Sequence, residues 1–408
     1  MQSKYSKLSL VSVFFTFFVD NLCWSVVFPI FAPYFLDKDN ILFAPEISEA
    51  TRTTILGFFL MAFSLGQFLG APILGEYADR HGRKKALLVS VIFTLIGLGV
   101  TAWSMKFQML TLLFIGRLIT GIFAANMSIC LACVTDLSPD EKTKVKYFGY
   151  FSVLAGLSFV LGAFLGGKLS DPTVNSWFSP DFPLWLAACL TFLNFLFICF
   201  GFKETAIVDF PKKFAFLESF QNIKLALRTE KIKRVYAIYF LFLFSWTVLF
   251  QFTPVLMVDK FEFTSSDIGN LALYMGLCWA FGSSYLNKFL MRSFLPLQIL
   301  ECALLIFTIM CCIIAFPNQL ALVLLILGFC VLMGGLAWPL CTGMISNMAP
   351  RQIQGKILGM SQSVQSLAMT IAPVIGGMAS QATTSFPFLI GGAASLLAGT
   401  IYLTLKER

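Results

Sequence analysis

The stretch GEYADRHGRKKALLVS, Gly75 to Ser90, sets Asp79, Arg80, His81, Arg83, Lys84 and Lys85 between two of the most apolar runs of the chain. The flanking runs, about 53–75 and 86–104, are each long enough to cross a bilayer as a helix, which takes about 20 apolar residues. So dense a charge cluster in so short a link reads as a turn at a membrane surface. Composition agrees with that reading. The 408 residues are 58% hydrophobic, 15% aromatic and 12% charged, whereas a soluble domain is about a quarter charged. No soluble fold of this length hides that much apolar surface, so the chain is expected to be an integral membrane protein. The apolar N-terminus differs from a signal peptide: it is too long for an h-region, it contains Asp20, and no small-residue cleavage site closes it. It is expected to remain as the first helix.

Twelve apolar segments follow from the pattern, at about 8–36, 53–75, 86–104, 107–135, 147–170, 182–202, 234–259, 265–290, 294–315, 318–348, 355–380 and 384–405. The expected fold is all-α with twelve transmembrane helices. The one long polar connection, 203–233, divides it into six-helix halves at 1–202 and 234–408, with 203–233 as a cytoplasmic linker. With the N-terminus inside, 23 of the 29 Lys and Arg residues fall on the cytoplasmic side, and five (Lys38, Arg52, Lys106, Lys168, Lys260) fall outside. That bias places both termini in the cytoplasm. It also explains the +8 formal charge without nucleic acid. The eleven cysteines lie in apolar segments, and Cys130 and Cys133 read as packing residues rather than ligands.

The chain repeats itself. The stretch LSPDEKTKVKYFGYFSVLAGLSFVLGAFLGG (137–167) parallels MAPRQIQGKILGMSQSVQSLAMTIAPVIGG (348–377), with Pro139 matching Pro350 and Gly166-Gly167 matching Gly376-Gly377. Parallel halves of this kind place a binding site at their interface near mid-membrane.

The run Gly75-x-Tyr77-Ala78-Asp79-Arg80-x-Gly82-Arg83-Lys84 resembles the loop between the second and third helices of the major facilitator superfamily. The first half is similar to the tetracycline-exporter branch of the drug–proton antiporters. The stretches that carry this are VDNLCWSVVFPIFAP, GQFLGAPILGEYADRHGRKKALL, FIGRLITGIFAA and TDLSPDEKTKVKYFGYFSVLAG. The likeness is dense over about 16–167 and thins afterwards. It implies a cytoplasmic latch: Gly75 and Gly82 allow tight turning, Asp79 sits at the N-terminus of the eleventh span near Gly355 to Gly359, Arg80 belongs to the same motif, and Arg83 pairs with Asp136. Lys84 and Lys85 read as solvated charges, and His81 occupies a variable position. One departure stands out. Drug–proton antiporters commonly carry Gly-Pro in the fifth span, and here Gly156, Gly162, Ala163, Gly166 and Gly167 form the run, with Ala163 at the proline position. The proline appears instead as Pro373 in the repeat-related place. Uptake by proton symport therefore stands beside export.

Ionisable residues at span centres cost roughly 2.5–3.5 kcal/mol each on insertion scales, so they are functional candidates by default. Asp20 and Arg117 lie at similar depths in the first and fourth spans and are expected to pair, either as a proton switch or as a static structural ion pair. Glu301 either binds a proton or snorkels to the interface. Asn21, Trp24, Arg117, Trp246, Gln251, Trp338, Thr342, Gln362 and Gln365 are candidate cavity-lining residues, suited to an amphipathic or weakly ionic solute. The expected activity is proton-coupled transport by alternating access: export of an amphipathic small molecule or drug, or uptake of a small metabolite, amino acid or iron chelator. A non-transporting receptor or scaffold would not need buried Asp20 and Arg117. One histidine, no metal cluster and no Walker-type loop argue against an enzyme or an ATP-driven pump. The proton is the expected coupling ion, with no cofactor and no metal. The expected partners are a small-molecule substrate and the lipid bilayer, with no nucleic acid. The chain is read as a monomer in a bacterial inner (plasma) membrane.

Overall fold

Apolar side chains dominate every helix, so helices with all backbone groups bonded internally are the form the sequence can hold in lipid. The computed structural model describes residues 2–38, 40–124, 126–205, 230–347 and 354–406, and its regular structure there is entirely helical. The first eight elements are α1 (Gln2–Ser25), α2 (Phe28–Leu36), α3 (Glu49–His81), α4 (Arg83–Lys106), α5 (Leu110–Phe123), α6 (Asn126–Leu137), α7 (Glu141–Ser170) and α8 (Phe182–Gly201). Then follow α9 (Glu230–Phe261), α10 (Ser265–Ala280), a π turn (Phe281–Leu286), α11 (Asn287–Leu290), α12 (Pro296–Ile313), α13 (Leu320–Asn347), α14 (Gln354–Ala379) and α15 (Phe386–Lys406).

Ten helical stretches among the described residues are long and apolar enough to span a membrane. Two of the twelve expected spans are not among them. The segment 265–290 is divided by the π turn, which leaves α10 only 16 residues long. The segment 355–380 forms α14, whose first residues adjoin the undescribed 348–353.

Local sequence explains most helix ends. Pro29 lacks the N–H that would bond the Ser25 carbonyl, and the first span breaks there into α1 and α2. Asp140 caps α7, accepting the Thr143 N–H at 2.7 Å. Pro183 and Pro296 stand in the first turns of α8 and α12, where no backbone donor is missed. Gly82 joins α3 to α4 at φ +93°, a conformation that disfavours any residue with a Cβ.

The interruption between α5 and α6 contains no proline. Here the Ser90 hydroxyl of α4 donates to the Phe123 carbonyl, the acceptor that the Met127 N–H would use in an unbroken helix. Helices α4 and α5 approach closely enough for this because Gly97 lies against Thr120 and Gly116 against Thr101.

The chain divides into two compact units. One holds Met1–Tyr34, Ala62–Glu218 and Thr264–Asn270; the other holds Phe35–Met61, Ser219–Phe263 and Leu271–Arg408. The expected linker 203–233 lies outside the described residues from 206 to 229. Each unit also borrows a segment from the other half of the sequence. In the second unit, the start of α3 packs on the end of α14, with Gly57 on Pro373 and Gly377 and the Thr54 hydroxyl donating to the Gly377 carbonyl at 3.0 Å. In the first unit, the end of α7 meets the start of α10, with Gly167 against Gly269 and the Ser266 N–H donating to Asp171 at 3.0 Å. The core of the first unit includes Val13, Leu87, Val91, Ile198, Cys130 and Cys133, where both cysteines are fully buried packing groups.

Candidate functional site

The first unit carries a polar centre around Asp20. This residue lies five positions before the end of α1, and its Oδ2 is shut from solvent with no hydrogen-bond partner. The side chain that faces it is Asn126, the first residue of α6. Asn126 is fully buried, and neither atom of its amide is in hydrogen-bond geometry with a protein atom. Cys130, one turn further along α6, shares this face and lies within electrostatic reach of Asp20. Arg117 sits in α5, almost wholly buried, with its guanidinium 4.5 Å from the ring centre of Phe63 and 5.5 Å from that of Phe31. The aromatic faces compensate part of the charge. The Asp20 carboxyl thus faces Asn126 rather than Arg117, the partner expected from depth alone. Asn21 donates to its own helix at Phe17. The ring of Trp24 stacks at 5.9 Å on Phe159 of α7.

The turn at Gly82 forms a charge network in the same unit. Arg83 reaches Asp79 through Nη1 at 2.6 Å and Asp136 through Nε at 3.6 Å, joining α3, α4 and the end of α6. Arg80 pairs with Glu76 at 2.5 Å, and His81 stacks on Tyr77. Among the described residues nothing lies within 4 Å of where a Cβ on Gly75 would stand. The expected docking of Asp79 near Gly355 to Gly359 falls on residues whose side chains lie outside the described set. Glu204, which the sequence reading missed, takes the backbone N–H groups of Arg83 and Lys84 at 2.8 and 3.0 Å. A carboxylate there satisfies orphan donors of α4 and opposes the positive end of its dipole. The available signal was an acidic residue just past the sixth span, facing a basic loop.

The second unit carries an aromatic cluster. Trp246 of α9 lies 4.6 Å from Trp279 of α10, and Trp279 meets Trp338 of α13 edge to face at 5.7 Å. Phe242 and Phe307 complete the contacts. All three tryptophans stay partly exposed. Gly334 lets the Trp246 ring lie directly on the α13 backbone. Trp279, also missed from sequence, immediately precedes Ala280 and the π turn, and such turns recur at functional sites. Thr342 donates to the Trp338 carbonyl. The Tyr239 hydroxyl donates to Gln365 Oε1 at 3.5 Å. The Gln251 Oε1 is buried without a partner, and Gln362 is exposed. Glu301 is half-buried in α12 and lies within reach of Tyr402 of α15. These side chains belong to one unit, and Asp20, Asn126 and Arg117 belong to the other.

Comparison with known proteins gives the frame for these groups. The family model described as Major Facilitator Superfamily matches residues 13–300 and 296–408. The tetracycline resistance protein of class H from Pasteurella multocida is 25% identical over 330 residues, covering 81% of this chain and 80% of that protein. Multidrug resistance protein 2 from Bacillus subtilis is 24% identical over 363 residues and covers 86% of each. Among solved structures, the D-xylose-proton symporter superposes with a TM-score of 0.78 at 16% identity, over 98% of this chain and 97% of that one.

Proposed function

The chain belongs to the major facilitator superfamily, and on that premise we propose that it is a proton-coupled secondary transporter that works by alternating access and exports an amphipathic small molecule. The observation that carries the coupling claim is Asp20: a carboxyl group in the middle of an apolar span, its Oδ2 out of solvent and unpartnered. Such a group is costly unless it exchanges a proton or a partner during the cycle. The relatives named for tetracycline and multidrug resistance support export. The Trp246–Trp279–Trp338 cluster suits a solute with a flat apolar part. Arg117 then serves as an anion clamp or as a later partner of Asp20. Asp79, Arg83 and Asp136 hold the cytoplasmic latch.

Uptake by proton symport is the second reading. Ala163, fully buried in α7, stands where the exporters commonly have proline, and the same fold serves a sugar–proton symporter. Vesicles of opposite orientation separate the two. With an imposed pH gradient, export in exchange for protons predicts accumulation in inside-out vesicles driven by protons leaving an acidic lumen. Proton-driven accumulation in right-side-out vesicles overturns export and establishes uptake.

A further inference from the structure

The break in the fourth span has a chemical consequence. The Ser90 hydroxyl donates to the Phe123 carbonyl, and α6 starts at Asn126 inside the membrane. The first turn of such a helix carries the positive end of its dipole. The side chain at this start, Asn126, is 0% exposed, and both amide atoms lack a hydrogen-bond partner. It faces the Asp20 carboxyl, whose Oδ2 is equally unpartnered. Three of these orphaned polar atoms gather around one helix start. A buried amide costs about 1–3 kcal/mol when unsatisfied, so the arrangement needs a state in which it is used.

We propose that Asn126 is a positioning residue for Asp20: together with the start of α6 it receives the carboxylate when the proton leaves, and so sets the pH at which the carrier loads and releases protons. In the protonated form Asp20 needs no donor, and the Asn126 amide stands idle. On ionisation the Asn126 Nδ2 donates to the carboxylate, and the dipole of α6 favours the new charge. The surrounding charges leave this role to Asn126. Helix α8 carries no charged residue, the one in α6 is Asp136 at its far end, and α7 has none between Lys146 and Lys168. Arg117, in α5, lies over Phe63 and Phe31. The inference rests on proton coupling at Asp20, and its test separates the two.

The purified full-length protein in lipid nanodiscs is titrated by infrared spectroscopy, with Asp20→Asn identifying the Asp20 carboxyl band. Removing the donor with Asn126→Ala is expected to keep Asp20 protonated to a pH about one unit higher, the size expected for one hydrogen bond to a charge. Asn126→Ser, which keeps a donor, is expected to titrate near the parent. In proteoliposomes the midpoint of proton-driven transport shifts in the same order. Should the alanine variant fail to fold, Asn126→Leu removes the donor at equal size and carries the same expectation. An unchanged Asp20 titration in a folded donor-less variant overturns the proposal, as does a loss of activity at constant midpoint, which marks a merely structural asparagine. If the parent shows no proton-driven transport while the infrared shift appears, the transport reading fails and the Asn126 role stands.

Discussion

Glu204 accepts the backbone N–H of Arg83 at 2.8 Å across 121 positions of sequence. With the second bond, to Lys84 at 3.0 Å, it caps α4 from the end of α8 and pins the turn that carries Asp79 and Arg83. Two substitutions test this. Glu204→Ala removes the cap and is expected to cost about 1 kcal/mol, read as a lower midpoint of thermal unfolding in detergent. Gly82→Ala meets both the left-handed φ of +93° and the Glu204 carboxylate, and its backbone term alone costs about 1–2 kcal/mol. A Gly82→Ala protein as stable as the parent would show that the turn is not held as described.

Asp171 ties the end of α7 to the start of α10. Burial pushes its carboxyl up, but hydrogen bonds from Thr173, Thr264 and the Ser266 backbone outweigh this and hold it below the usual carboxylate range. A lowered folded-state value means that its stabilisation is complete above the unfolded value, near 3.9, and is lost as pH falls through the folded value. The contact is therefore expected to hold at pH 5 to 7 and to weaken only below about pH 4. Thermal unfolding across pH checks it. The parent should exceed Asp171→Asn in stability above about pH 4, and the gap should close below. A gap that is constant with pH contradicts the assignment.

The proposed latch makes a directional prediction. Asp79→Asn releases one of the two carboxylates on Arg83. Cysteines introduced along the cytoplasmic ends of the spans should become more reactive to a water-soluble maleimide. No change in reactivity would remove the gating role from Asp79.

The aromatic cluster predicts a binding effect without a coupling effect. Trp279→Ala removes the ring that touches both Trp246 and Trp338. The dissociation constant of a transported solute should rise about two- to tenfold, measured by calorimetry or quenching of intrinsic fluorescence. The pH dependence of transport should stay in place. An unchanged affinity would move the solute elsewhere.

Much of this arrangement was legible in the sequence, and the misses have a common physical origin. Hydropathy located the ten helical stretches long and apolar enough to span, because backbone satisfaction in lipid forces helices, and the Gly75–Ser90 run marked its turn through charge. Pattern is blind to what a neighbouring helix does to a backbone. The interruption at Ala124 coincides with the bond from Ser90, a residue on another span, to the Phe123 carbonyl, and the π turn after Ala280 changes hydrogen-bond register without changing apolarity. Asn126 was passed over, although an asparagine after two alanines in an apolar run is itself a signal. Trp279 was passed over as one aromatic among many. The depth argument that paired Asp20 with Arg117 ignored azimuth. Their helices place the carboxyl toward Asn126 and the guanidinium over Phe63.

The central claim is that Asp20 carries the coupling proton, and it is tested most directly by comparing two transport modes in one reconstituted variant. In proteoliposomes containing Asp20→Asn, solute accumulation driven by a pH gradient is expected to vanish, while solute–solute counterflow, which needs no net proton movement, continues. Proton-driven accumulation that persists in Asp20→Asn at the parent rate contradicts the account.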